Sequence, residues 1–213
     1  MNEIKLREVL PGEIEKKSFE IIAEEMGEVD LLPLERPIIM RAIHTSADFD
    51  YLENLVFSQD AVEKAIAAIK NGACIVTDTN MAKAGINKTM LGKFGGEVYC
   101  FMADEDVAAK AKAEGTTRAT ASMEKAAQLN KPLIFAIGNA PTALVKLYSL
   151  IQEGKIKPEL IIGVPVGFVN VVESKEIIMT AETPYIVAKG RKGGSNVAAA
   201  ICNGILYQCG IDR

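Results

Sequence analysis

The 213-residue chain contains one histidine, His44, within Arg41-Ala42-Ile43-His44-Thr45-Ser46-Ala47-Asp48-Phe49-Asp50. An imidazole changes charge near neutral pH, so it can give or take a proton there. A lone histidine is more often structural than catalytic, but Thr45, Ser46, Asp48 and Asp50 follow it closely, surroundings that suit a polar site better than a packed core. Asp48 and Asp50 are also natural turn or cap residues. Four other stretches stand out, the first wholly polar and the other three carrying glycine, proline or both: Thr77-Asp78-Thr79-Asn80, Gly138-Asn139-Ala140-Pro141-Thr142, Pro165-Val166-Gly167-Phe168 and Lys189-Gly190-Arg191-Lys192-Gly193-Gly194-Ser195. Each reads as a strand-to-helix turn. Pro141 suits a helix's first turn, Asn139 and Ser195 are expected N-caps, and the free N–H groups of such helix starts attract anions. One such turn is ordinary, but four together point to a ligand-binding edge.

Several familiar chemistries are missing. The glycines at 92–96 and 190–194 fit neither the dinucleotide fingerprint nor the P-loop. No nucleophile elbow and no paired histidine motif for zinc occurs. Cys74, Cys100, Cys202 and Cys209 have no CxxC spacing, and three of them sit in apolar stretches, so inert buried thiols are expected.

The elements that must position these turns follow from periodicity. Short apolar runs at 73–77, 98–101, 133–137, 160–164 and 185–187 read as strands buried on both faces. Between them Val62, Ile66 and Ile69, and then Leu144, Leu147 and Ile151, recur at helical spacing. That alternation predicts one α/β domain over 1–213, with a mostly parallel central sheet of about five strands flanked by helices. In such sheets ligands bind beyond the carboxyl ends of the strands, where the polar turns fall. Composition agrees with a globular chain, at 49% hydrophobic, 24% charged and 6% aromatic residues. The longest apolar stretches, 160–172 and 197–206, are too short or too broken to span a bilayer, which needs about 18 residues. The amino-terminal stretch mixes both charge signs, so no signal peptide is expected and the predicted location is cytoplasmic. With a net charge of −4 and no basic run, nucleic acid is not an expected partner, and an anionic ligand would need a local basic site.

The segments 41–50, 76–81 with Gly85-Ile86, 136–144, 163–169 with Glu173-Ser174-Lys175, and 191–195 together resemble the precorrin-8X methylmutases, in order and over nearly the whole chain. The resemblance implies an isomerase late in corrin-ring construction, moving a methyl group from carbon 11 to carbon 12 of precorrin-8X or cobalt-precorrin-8 to give hydrogenobyrinate or cobyrinate. It implies no cofactor and no protein-bound metal, since any cobalt belongs to the substrate. It also places the family's proton donor at His44. The chemistry fits that residue, because a 1,5-sigmatropic methyl shift needs no nucleophile but is helped by an acid at a ring nitrogen. General acid catalysis contributes roughly 100- to 10,000-fold.

A corrinoid rich in acetate and propionate groups would be repelled by the net charge, so local donors must bind it. Arg118, Lys189, Arg191, Lys192 and the backbone of Gly193, Gly194 and Ser195 are the expected carboxylate binders, arginine's planar fork being suited to bidentate contacts. For Arg118 and Lys192 the competing roles are a helix-surface charge and a solvated loop charge. Arg41 joins the substrate-binding set through the resemblance. So does Ser18, on the apolar stripe of the first helix, with a hydroxyl bonded back to the preceding turn as its other role. Thr77, Asp78, Thr79 and Asn139 either meet substrate or build their turns. Glu173, Ser174 and Lys175 are expected to stabilise a helix or a subunit contact.

A homodimer with its pocket at or near the interface is expected, with handover to other cobalamin-pathway enzymes. The helix expected at 195–208 offers small and apolar residues that serve equally for an interface or for packing on the sheet. Two other classes remain open: a noncatalytic corrinoid carrier, which turnover would distinguish, and an unrelated α/β sugar-acid or sugar-phosphate isomerase, which would bind small sugars.

Overall fold

A computed structural model describes residues 9–210. The two ends of the expected 1–213 domain, including the start of the charge-mixed amino-terminal stretch, lie outside the described residues. After a 3-10 turn the chain forms α1 (Ile14–Met26), α2 (Arg36–Ser46), α3 (Tyr51–Asn54) and β1 (Leu55–Phe57). Next come α4 (Ala61–Lys70), β2 (Cys74–Thr77), α5 (Asn80–Gly85), α6 (Lys88–Gly92) and β3 (Val98–Tyr99). The chain continues through α7 (Glu105–Ala113), α8 (Arg118–Ala126), β4 (Leu133–Ile137), α9 (Pro141–Gln152) and β5 (Leu160–Gly163). It closes with α10 (Val171–Met179), β6 (Tyr185–Ala188) and α11 (Ser195–Leu206).

The sheet has six strands in the order β1-β6-β5-β4-β2-β3, parallel except for β1. The sequence reading found five of them. The sixth, β1, is three residues long and directly follows a one-turn helix, so it has neither length nor alternation to mark it. Its antiparallel register sets Leu55 opposite Ala188, which brings the segment before it to the carboxyl edge of the sheet. Alternate residues of each strand serve opposite layers. Ile134 and Ala136 pack with α2, α4, α5 and α11, whereas Leu133, Phe135 and Ile137 pack with α8, α9 and α10. Two-sided burial explains why these strands read as unbroken apolar runs.

The residues around His44 end α2, whose Ile38, Ile39, Ala42 and Ile43 are buried and whose Pro37 lies in the first turn, where its missing N–H costs nothing. α11 is used internally: Val197, Ala198, Ile201 and Ile205 are buried against its neighbours, and a Cβ on Gly204 would come within 3.2 Å of Ile38. Among the described residues no helix is long and apolar enough to cross a membrane.

The connections leave a crevice. From β2 the chain passes to α5 on one layer, and from β4 it passes to α9 on the other, although β2 and β4 are adjacent. Adjacent strands whose chains diverge to opposite faces part at their carboxyl ends, the usual ligand position in open α/β sheets.

Candidate active site

In this chain the crevice is filled from within. Asp78, the first residue beyond β2, has no exposed surface. Its carboxylate accepts hydrogen bonds from the backbone N–H groups of Gly138 at 2.8 Å, Asn139 at 2.8 Å and Ala140 at 2.6 Å. Burial pushes its pKa above the usual carboxylate range, while those donors pull the other way. The amides at the start of α9, expected to attract a substrate anion, thus hold the protein's own. Thr77 is equally buried and donates to the carbonyls of Thr79 at 3.0 Å and Tyr99 at 3.3 Å. Thr77 and Asp78 thus build the turn, one of the two roles left open for them.

The caps are corrected. Ala140 caps α9 and Gly194 caps α11, neither with a side-chain bond, whereas Asn139 is exposed at the rim. Thr79 is the side-chain N-cap of α5, accepting from the N–H of Ala82 at 3.1 Å. Its hydroxyl also meets that of Ser195 at 2.8 Å. Gly138 lets α11 start this close, since a Cβ there would lie 2.7 Å from Ser195 Cα.

The loop after β6 is pinned differently. Lys175 of α10 is 1% exposed, and its ammonium donates to the carbonyls of Gly190 at 2.8 Å and Lys192 at 2.9 Å. Burial pushes its pKa down to about 8. The N–H of Gly167 donates to the carbonyl of Arg191 at 3.2 Å, and the N–H of Gly194 to that of Val164 at 2.9 Å. Gly193 touches the end of β5 so closely that a Cβ would fall 2.1 Å from the Val164 carbonyl oxygen. On this framework Arg191 is exposed, its guanidinium 5.5 Å from the Phe168 ring. Lys189 is exposed as well. Lys192 is instead committed to Asp48 and Asp50, both at 2.6 Å, and it holds the Asp48 carboxyl below the usual range. The pairing ties the loop to the segment after His44.

His44 itself is exposed in the last turn of α2, and its ring stacks on Phe19 of α1 with centroids 4.9 Å apart. Asn196 Nδ2 donates to the Thr45 carbonyl at 3.3 Å, a second link between α2 and the start of α11. Arg41 lies one turn earlier, over the rings of Tyr207 at 4.3 Å and Phe19 at 5.2 Å and 3.4 Å from Glu15. Its guanidinium thus lies against both rings. Ser18 donates back to the Ile14 carbonyl at 2.9 Å, the local role foreseen as its alternative.

Arg118 is exposed at the first turn of α8, on the opposite layer from α2. A contact of 3.0 Å between the Thr117 and Thr142 hydroxyls ties it to the start of α9. A cleft of about 430 Å³ opens there, lined by Thr120, Pro141, Thr142, Val145 and Val169 among others. Another cleft, of about 440 Å³ between Pro132 and Pro158, lies at the amino-terminal end of the sheet and includes none of the candidate residues. Lys175 and Phe168 were missed as site-building residues. Phe168 is 82% exposed, and the available signal was a large aromatic placed in the turn at 165–168. The four cysteines are buried and free, and burial pushes the Cys202 thiol up to about 12.

The family model for precorrin-8X methylmutase matches residues 13–208. The cobalt-precorrin-8 methylmutase of Priestia megaterium is 47% identical over 203 residues, covering 95% of this chain and 90% of the relative. That of Salmonella typhimurium is 45% identical over 203 residues, covering 92% and 95%. The crystal structure of the Thermus thermophilus precorrin-8X methylmutase superimposes with a TM-score of 0.84 at 40% identity, covering 92% of this chain and 97% of that one.

Proposed function

The chain belongs to the precorrin-8X methylmutase family and is an isomerase of corrin biosynthesis, and from that premise we propose that His44 is the acid that assists the methyl shift from carbon 11 to carbon 12. The observation that carries this reading is the setting of His44. Its ring is exposed and backed by Phe19, while the residues that follow it are tied to the cationic loop through Asp48 and Asp50 and to the start of α11 through Asn196. A proton held at a ring nitrogen of the corrinoid lowers the energy of the migrating electron system, and no covalent intermediate with the protein is needed. Arg191, Lys189, Arg118 and the start of α11 around Ser195 bind the peripheral carboxylates. The substrate carries cobalt, as the names of the Priestia and Salmonella relatives support.

The test is turnover of cobalt-containing and metal-free substrates followed by absorption. His44→Ala should lose roughly 100- to 10,000-fold in rate while binding of the corrinoid persists. A normal rate in the variant removes His44 from the chemistry, and binding without turnover in the native chain would make it a carrier. Family membership sets aside the unrelated sugar isomerase. The working unit is a cytoplasmic homodimer that passes product to the next pathway enzyme. A broad corrinoid needs more wall than one exposed edge supplies, and Phe168 and Val169, 82% and 78% exposed, offer apolar area beside it. Sedimentation at micromolar concentration tests this, and an active monomer would defeat it.

A further inference from the structure

Among the described residues, Asp78 and Lys175 are the charged side chains buried from solvent. Asp78 belongs to the crevice already accounted for, but Lys175 has no part in the reading above. Burying an ammonium is costly unless its protons are used. A methionine would fill the same stem without that cost, so packing alone does not explain the charge. Among the described residues its ammonium bonds main-chain carbonyls and not a carboxylate. Its partners are the carbonyls on either side of Arg191, and the Arg191 carbonyl is itself taken by the N–H of Gly167. Three successive carbonyls are thereby held against α10 and the turn before it. Oxygens that would repel an incoming carboxylate are occupied, while the guanidinium between them stays exposed.

We propose that Lys175 is a positioning residue for substrate capture, holding the backbone on both sides of Arg191 in the form that presents its guanidinium to a corrinoid carboxylate. The proposal rests on the carboxylate-binding role given to Arg191. Lys175 touches no substrate, and its effect passes through the loop.

A double-mutant cycle on the full chain tests it, with affinity for the methyl-shifted corrinoid measured by equilibrium dialysis and absorption. Arg191→Ala and Lys175→Met should each weaken binding about ten-fold. The double variant should be little weaker than either alone, because groups acting through one contact are not additive. Lys175→Met should raise KM while kcat changes less than about three-fold, and Lys175→Arg should restore most of the affinity. Losses that multiply to about a hundred-fold, or native affinity in Lys175→Met beside a weakened Arg191→Ala, would overturn the positioning role. Native affinity in Arg191→Ala alone would instead overturn the carboxylate reading of Arg191, and the proposal with it. If Lys175→Met fails to fold by circular dichroism, Lys175→Gln and Lys175→Arg carry the same comparison. Native affinity in both then overturns the proposal, and loss in Gln with recovery in Arg supports it.

Discussion

At the end of β4 a buried carboxylate takes three backbone N–H groups, whereas at the end of β6 a buried ammonium takes two backbone carbonyls. Both turns lie at the same edge of one sheet, and both are fixed by an interior charge bonded to main chain. Their consequences for an anion are opposite. The first consumes the three N–H donors that lead into α9 and sets a carboxylate beneath them. The second consumes acceptors and leaves Arg191 and Lys189 facing solvent. Glycine content alone does not distinguish a binding turn from a structural one. What distinguishes them is which half of the peptide group the protein has already used.

The largest expected effect comes from emptying the first turn. Asp78→Ala leaves the buried Gly138 N–H and the partly buried N–H groups of Asn139 and Ala140 without their acceptor; at about 1–3 kcal/mol for a buried donor and less for the other two, the variant should lose about 3 kcal/mol of stability. Urea unfolding reads this directly. A midpoint near the native value would mean that water replaces the carboxylate and that the crevice is open to ligands after all.

The second turn should respond to pH instead. A lysine in the unfolded chain titrates near 10.4, and burial places Lys175 at about 8. Between these values the unfolded chain binds more protons than the folded one, so stability rises with pH across that window. The cost of carrying the buried charge is fully present below the folded value and gone above the unfolded one. Lys175→Met removes this dependence, so the native chain should gain up to about 3 kcal/mol on the variant over the window. Parallel melts would show it, since other titrating groups are common to both. Parallel stability curves would mean that the ammonium is not desolvated as the geometry implies.

Much of this was legible from sequence, and the rest was not for identifiable reasons. The run at 133–137 became β4 with the same bounds, and the remaining four strands shifted by one or two residues at their ends. Two-sided burial writes itself into composition, so such strands are easy to see. The polar turns also fell where expected. Their internal wiring did not show, because Asp78 meets amides some sixty residues onward and Lys175 meets carbonyls beyond another strand. Local spacing carries no trace of such contacts. Asn139 and Ser195 have the composition of caps, yet an approach of α11 to Gly138, seen only in three dimensions, gave those positions other tasks. α2 was hidden because polar residues cluster at its exposed end, although the pairs Ile38-Ile39 and Ala42-Ile43 repeat at helical spacing.

The sheet's rims are short. β1 has three residues and β3 has two. Unpaired strand edges are templates onto which other chains add, the first step toward fibres, and very short edges deny that growth its foothold. The four long apolar runs, each strongly strand-forming, are kept in the middle of the sheet, where both of their ladders are filled. Edge-to-edge growth, which would propagate without end, is thus offered only a few residues of strand at either rim.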